Sequence, residues 1–170
     1  MVPLHRNILV SILFTVFGGP GIGLVFVPWW LTRFHVPAGE PDWQFFLAGA
    51  LILIGLIPLL ESIYRFIVEG GGTLLPTVPT ESLVVTGFYR YVRNPMYLGV
   101  VVAATGEAVL FPSRDMVMYV PLLFAGFSLF VLLYEEPTLN RRYHGKYALY
   151  KRNVPRWWPR WTPWDESEEE

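Results

Sequence analysis

The chain has 170 residues, of which 53% are hydrophobic and 16% charged, and its mean hydropathy of +0.39 exceeds that of typical soluble domains. This composition predicts a membrane protein with a single domain covering residues 1–170. The formal net charge of -1 says nothing about partners, whereas the absence of cysteine excludes disulfides and cysteine-ligated metals.

Four apolar segments approach or reach the length of about 20 residues that a helix needs to cross a bilayer. In chain order they are residues 8–31, 45–68, 95–111 and 116–134. The first is too long and too poorly flanked for a cleaved signal peptide, so we expect it to be retained. It contains the run GGPGIG at residues 18–23, which no strand precedes. We therefore interpret this run as a helix kink or a close helix contact and not as a nucleotide-binding loop.

The basic residues predict the orientation of these spans. With four spans, both termini and the loop at residues 69–94 lie on one side of the membrane. That side holds 11 of the 13 Lys and Arg residues, and the other side holds only Arg33 and Arg114. The positive-inside rule therefore places both termini in the cytoplasm. The expected fold is an all-α, polytopic helix bundle of about four transmembrane helices, with a cytoplasmic cap made from this loop and the C-terminal tail.

Polar residues within or near the spans have mainly structural interpretations. Glu61 and Arg65 are four residues apart on the second span, so we expect them to pair with each other rather than contact a substrate. Glu107 lies about 18 Å along the third helix from Pro95, near the far interface. The histidines have no spacing typical of metal ligands. Four tail tryptophans among basic residues are typical of a segment in the lipid headgroup region; they are Trp157, Trp158, Trp161 and Trp164.

The third and fourth spans predict a hairpin that returns the chain to the cytoplasmic face. Asn94 and Pro95 are suited to the start of a helix, where Asn caps free N–H groups and Pro loses no needed donor. The third span rises for 17 residues, the turn at residues 112–115 follows, and the fourth descends for 19. Equal rises per residue bring Glu135 to the depth of Asn94. We therefore expect a site at this face.

Two adjacent acids, Glu135 and Glu136, follow the fourth span. The interpretation without a function is an exposed pair at the C-terminal end of a helix, although negative charge is mildly unfavourable there. Arg90 and Arg93 are expected to face them from the start of the third span. This arrangement favours a functional role for the acids.

The motif RNPMYLG at residues 93–99, an apolar hairpin and the sequence EEPTLNRRYHGKYALYKRNVPRWWP at residues 135–159 occur in this order. Together they resemble the isoprenylcysteine carboxyl methyltransferase and phospholipid methyltransferase superfamily, over about residues 72–159. The resemblance implies an integral membrane enzyme that uses S-adenosylmethionine, releases S-adenosylhomocysteine and methylates a lipophilic small-molecule or lipidated acceptor entering from the bilayer. It implies no metal and no nucleic acid. Its location would be the plasma (inner) membrane of a prokaryote or the endoplasmic reticulum of a eukaryote.

The resemblance also assigns residues to the cofactor. The cofactor-binding positions that it implies are Ser82, Leu83, Val84, Tyr89, Arg93, Asn94, Pro95, Met96, Tyr97 and Glu135. Asn94 replaces a family histidine, which keeps a hydrogen-bonding group but removes a titratable ring. Carboxylate and amide groups suit the cofactor's ribose and amino group, and tyrosine rings can lie against its positive sulfur.

The acceptor stays open among a carboxylate, an amine and a thiol. Family members that methylate a prenylcysteine carboxylate carry an Arg where this chain has Val131. An amine acceptor would have to lose a proton, and Glu136 is the predicted catalytic residue that receives it. Two other classes of function are an NADPH-dependent membrane reductase of the sterol type and a non-catalytic membrane scaffold. Binding of S-adenosylmethionine, NADPH or neither separates the three.

Overall fold

A computed structural model describes Leu13, Thr15 and residues 17–36, 40–69 and 82–165, and all regular structure in this part of the chain is helical. Within these described ranges, two helices are long and apolar enough to cross a membrane, Trp43–Val68 and Arg114–Asn153, and Pro95–Leu110 is apolar but shorter. Only 22% and 11% of the apolar windows in the two long helices are buried, unlike the core helices of a soluble protein. The predicted all-α class is confirmed.

Helix α1 contains the glycine-rich run; of the predicted residues 8–16, all but Leu13 and Thr15 lie outside the described part of the chain. Its segments are Gly19–Gly21, a π-helical turn at Ile22–Phe26, and Val27–Thr32. The carbonyl oxygen of Gly23 accepts a hydrogen bond from the Tyr119 hydroxyl at 2.8 Å. The run therefore combines a distorted helix with a close helix contact, as predicted.

Helix α2, Trp43–Val68, begins two residues before the predicted span because Asp42 caps it. The Asp42 carboxylate accepts hydrogen bonds from the N–H groups of Gln44 and Phe45. Helix α3, Pro95–Leu110, begins where predicted. The predicted capping role of Asn94 is wrong. Its side chain makes no cap and instead donates to the carbonyl oxygen of Arg156 at 3.1 Å, because the C-terminal tail lies against this position.

Helices α2 and α3 are antiparallel and touch through their backbones. A Cβ atom on Gly55 would lie 2.5 Å from the Gly99 carbonyl oxygen, and one on Gly99 would lie 2.5 Å from the Gly55 oxygen. A Cβ atom on Gly106 would lie 2.7 Å from the Ala48 oxygen. Small residues allow such approach between membrane helices. These contacts fix the depth at which α3 begins beside the end of α2.

Helix α4, Arg114–Phe130, continues through a π-helical turn at Val131–Glu135 into helix α5, Glu136–Asn153. The predicted helix end at the acidic pair is therefore wrong, because the chain stays helical. Pro137 has no N–H to donate and its ring would clash with the Leu133 carbonyl in a regular helix, which explains the wider turn.

The C-terminal tail packs against the segment before α3. The N–H of Arg93 donates to the Pro155 carbonyl, and the N–H groups of Arg160 and Trp164 donate to carbonyls of residues 91 and 90, all at 2.9 Å. Trp158 and Trp161 are exposed, as expected for headgroup contact, but Trp164 is only 5% exposed. The prediction for Trp164 is wrong, because its ring packs on Tyr150 in the buried centre of the cap.

Candidate functional site

The structure brings the two separated sequence motifs together at one end of the α3–α4 hairpin. The Tyr97 hydroxyl donates to a Glu135 carboxylate oxygen at 2.9 Å. The Arg93 guanidinium donates to Glu136 at 2.8 Å. The predicted equality in depth between the start of α3 and the acidic pair is confirmed by these contacts.

Glu136 is the centre of a buried ion-pair cluster. Its carboxylate is 7% exposed and accepts two hydrogen bonds from Arg156, at 2.7 and 2.9 Å, besides that from Arg93. Lys151 lies 3.3 Å away. Burial opposes the charge, but the Arg156 hydrogen bonds and the charges of Arg93, Arg156 and Lys151 hold the pKa of Glu136 below its ordinary value. Glu136 therefore ties the start of α3 to the tail as an ionised group.

Glu135 has a different environment although it is the adjacent residue. It is partly buried, its described hydrogen-bond partner is the neutral Tyr97 hydroxyl, and no cation of the described residues forms an ion pair with it. The Tyr97 ring packs on Phe127 with centroids 4.7 Å apart. The π-helical turn directs the two acids into separate surroundings. Burial and the nearby charge of Glu136 raise the pKa of Glu135, and the hydrogen bond from Tyr97 opposes this rise. The site thus contains a carboxyl group beside an aromatic ring, with no cation of the described residues to balance its charge when it is ionised.

Tyr89 borders the same region from the loop before α3. It is 7% exposed, its ring lies 5.7 Å from that of Phe66, and its carbonyl oxygen accepts from the Tyr150 hydroxyl at 2.7 Å. Burial raises the pKa of Tyr89 well above its ordinary value; contact with Ser62 opposes this rise, and the nearby charge of Glu135 adds to it. The Tyr89 hydroxyl therefore stays protonated and available as a donor.

The other predicted cofactor residues have structural contacts in the cap. The Ser82 hydroxyl donates to the Glu69 carbonyl at 3.1 Å, and Val84 is buried. The Leu83 side chain packs against the buried cluster formed by α5 and the tail, which contains Tyr147, Tyr150, Val154 and Trp164. Asn94 and Pro95 are buried, and Met96 is partly buried. Among the predicted set, Tyr89, Tyr97 and Glu135 therefore form the polar centre, and the rest surround or support it.

Part of this polar centre lies on α2 and was not among the predicted site residues. The predicted pairing of Glu61 with Arg65 is confirmed, since the Arg65 Nε donates to Glu61 Oε1. The second oxygen of Glu61 and the hydroxyl of Ser62 are buried without a hydrogen-bond partner in the described part of the chain. Gly87, with φ of 56°, lies directly over the Glu61 carboxylate. The sequence feature that could have indicated this part of the site is Glu61 itself, an acidic residue near the end of an apolar span.

No group of three or more His, Cys, Asp or Glu residues in the described part of the chain has an arrangement that could hold a metal ion. Among known proteins, no curated protein and no solved structure matches the chain. A family model for phospholipid methyltransferases matches residues 43–146, which include α2, α3, α4 and both acids of the pair. The chain therefore belongs to the phospholipid methyltransferase family and is a membrane methyltransferase.

Proposed function

We propose that the protein is an integral membrane methyltransferase that uses S-adenosylmethionine at the ends of α2, α3 and α4, with an acceptor entering from the bilayer. The observation that carries this proposal is the contrast within the acidic pair. Glu136 is neutralised by three cations, whereas among the described residues Glu135 accepts a hydrogen bond from the Tyr97 hydroxyl and forms no ion pair. An uncompensated carboxylate beside aromatic rings suits a positively charged ligand.

The residues present fit the cofactor. When bound, S-adenosylmethionine supplies a methyl group on a positively charged sulfur. The Glu135 carboxylate can accept hydrogen bonds from hydroxyl or amino groups, and the protonated Tyr89 hydroxyl can donate one. The ring of Tyr97 can lie against positive charge. These assignments, together with the supporting residues Ser82, Leu83, Val84, Arg93, Asn94, Pro95 and Met96, are our proposed cofactor site.

The fold supports catalysis by positioning. Methyl transfer is a direct displacement, so alignment of donor and acceptor can supply a large part of the rate enhancement, up to about 7–11 kcal/mol in good cases. The glycine contacts between α2 and α3 and the ion pairs of Glu136 hold three helix ends in fixed relation. We therefore propose that these contacts pre-organise the site.

The environment of the site favours an amine acceptor over a carboxylate. Val131, which stands where carboxyl-methylating relatives carry Arg, is 1% exposed. Arg93 and Arg156 are both bound to Glu136, so neither is free to hold an acceptor carboxylate. An amine must lose a proton during methylation. Glu136 stays our predicted proton acceptor, while Glu135, with no ion pair, is the geometrically freer alternative.

The proposed topology has four spans with both termini in the cytoplasm. The antiparallel order of α2, α3 and α4 and the bias of Lys and Arg toward one side support it. The NADPH reductase alternative is disfavoured because a dinucleotide phosphate needs cations, and the arginines nearest the acidic pair are engaged by Glu136.

The test is transfer of labelled methyl groups from S-adenosylmethionine by purified protein in proteoliposomes. One preparation contains phosphatidylethanolamine and another contains a farnesylcysteine analogue with a free carboxylate. We expect label in the phosphatidylethanolamine fraction. Label only in the farnesylcysteine ester would overturn the amine assignment and leave methyl transfer intact. Label in neither, with no binding of S-adenosylhomocysteine, would overturn the proposed function.

A further inference from the structure

The cytoplasmic end of α2 contributes two buried polar groups that the proposed cofactor site does not use. Ser62 is 0% exposed, and its hydroxyl oxygen has no hydrogen-bond partner of good geometry in the described part of the chain. The same holds for Oε2 of the neighbouring Glu61. A buried polar atom without a partner destabilises the protein, and more so when it is charged. Such atoms therefore suggest a ligand that supplies donors.

The Glu61 carboxylate is held in one orientation. Its Oε1 accepts from Arg65 Nε, and the Arg65 guanidinium also pairs with Glu69. Gly87 covers the carboxylate, and its φ of 56° together with the lack of space for a Cβ atom explains why glycine occupies this position. Because Oε1 is occupied and the residue above is fixed, Oε2 is the oxygen left for a ligand.

Glu61 and Ser62 belong to the same polar region as Glu135. The Tyr89 hydroxyl contacts Ser62 and lies within electrostatic reach of both Glu61 and Glu135. The Tyr89 ring also packs on Phe66 of α2, with centroids 5.7 Å apart, so polar side chains of α2 and of the end of α4 lie near this tyrosine. Arg65 compensates one oxygen of Glu61 and is itself shared with Glu69, so the region keeps an excess of negative charge.

We propose that Glu61 Oε2 and Ser62 Oγ form an ammonium-binding subsite. An ammonium group carries three donors and no acceptor, which matches a carboxylate oxygen and a hydroxyl oxygen that have no hydrogen bond of good geometry in the described part of the chain. This subsite rests on the proposed function. Its ammonium comes either from the amino-acid end of the cofactor or from the headgroup of an amine acceptor, and both sources share the same recognition chemistry.

The test compares two ligands that differ by the amino-acid group. S-adenosylhomocysteine carries it, whereas 5′-methylthioadenosine has the same nucleoside and thioether without it. Glu61→Gln keeps the acceptor for Arg65 and the shape beneath Gly87, and replaces the free oxygen by a donor. If the ammonium is the cofactor's, calorimetry should show S-adenosylhomocysteine binding about 10-fold or more weaker, with methylthioadenosine unchanged.

If the ammonium is the acceptor's, both ligands should bind Glu61→Gln as tightly as wild type. The KM for phosphatidylethanolamine in mixed micelles should then rise about 10-fold. Ser62→Ala should give the same pattern with a smaller change. Glu69→Gln is the matched control, because it changes the other carboxylate on Arg65 and leaves both free oxygens in place; we expect unchanged binding.

Three results would overturn the subsite. The first is a Glu61→Gln variant with unchanged affinity for S-adenosylhomocysteine and unchanged KM. The second is a Glu61→Gln variant that binds S-adenosylhomocysteine and methylthioadenosine more weakly by the same factor, which would show a general disturbance of the site. The third is an equal effect of Glu69→Gln. A wild-type protein that binds neither ligand would instead overturn the proposed function itself, so the two failures are distinguishable.

Discussion

Replacement of Glu136 by Gln is expected to destabilise the fold through the charge it removes. The substitution keeps the size of the side chain but leaves Arg93, whose side chain is 9% exposed, without its counter-ion. Loss of one partner from a buried ion pair typically costs about 3–5 kcal/mol. Arg156 and Lys151 are 30% and 49% exposed, so solvent screens their charges and the loss of their ion pairs with Glu136 costs less. We therefore expect a decrease in the free energy of unfolding of about 3–5 kcal/mol.

Thermal unfolding of the detergent-purified protein, followed by circular dichroism, measures this effect. A loss of this size should lower Tm by about 6–20 °C for a chain of this length. Glu40→Gln is a suitable control, because Glu40 is exposed in the loop before α2 and forms no ion pair with the described residues. Its Tm should equal that of the wild type.

The pH dependence gives a second test with a defined sign. The folded-state pKa of Glu136 lies below its ordinary value of 4.5, so the stabilisation is fully present above pH 4.5. It is lost as the pH falls through the folded-state pKa, because the carboxylate is then protonated in both states. The Tm difference between wild type and Glu136→Gln should therefore shrink in acid. Equal Tm values at pH 7 would refute the reasoning, as would a difference that is unchanged in acid.

Three further predictions concern the helix contact and the site. Gly99→Ala should cost about 1–3 kcal/mol in unfolding free energy because its Cβ would meet the Gly55 oxygen, whereas Gly126→Ala, with open space around it, should be neutral or slightly stabilising in the same denaturation assay. Glu135→Gln should weaken S-adenosylhomocysteine binding about 10-fold or more in calorimetry, since hydrogen bonds to charged groups contribute about 1.5–3 kcal/mol. Gly87→Ala should reduce that binding by at least as much, because alanine fits neither the φ of 56° nor the space above Glu61.

Each of these predictions has a clear contrary result. Equal destabilisation by alanine at positions 99 and 126 would contradict the close backbone contact between α2 and α3. An unchanged affinity in Glu135→Gln would remove this carboxylate from the cofactor site. A Gly87→Ala variant that binds normally would show that the loop before α3 can move away from Glu61 without loss of function.

Turnover separates the structural role of Glu136 from the predicted catalytic one. If its carboxylate receives a proton from an amine, Glu136→Gln should change the pH profile of kcat at temperatures where the variant is folded. If it serves only to hold Arg93 and Arg156, the profile should keep its shape. An unchanged profile would remove Glu136 from the catalytic step and leave Glu135 as the candidate.

The position of the hairpin could be predicted from the sequence because it depends on local and additive properties. Pro95 marks the start of α3, and the lengths of the two apolar segments set how far the chain runs away from this end and back again. The two distances are similar, so Glu135 returns to the depth of the start of α3, where it contacts Tyr97. The different roles of Glu135 and Glu136 could not be predicted in this way. They depend on the π-helical turn before Pro137 and on how the tail returns Arg156 to the site.

The contributions of α2 to the site depend on partners distant in sequence. The role of Gly55 depends on its backbone contact with Gly99. The free oxygen of Glu61 can be recognised only because Arg65 binds the other carboxylate oxygen and Gly87 lies above the carboxylate. The same holds for Asn94, whose side chain meets a tail carbonyl rather than the helix end that it precedes. Local preference predicted the helix start correctly, and tertiary contact determined the side-chain partner.

The most direct test of the central claim is calorimetric titration of the detergent-purified wild-type protein with S-adenosylhomocysteine, with NADPH as the parallel ligand. We predict micromolar binding of S-adenosylhomocysteine and no binding of NADPH. Binding of NADPH alone would indicate a reductase, and binding of neither ligand by folded protein would indicate a scaffold; both results would contradict the account of Glu135, Tyr97 and Tyr89 as a methyltransferase site.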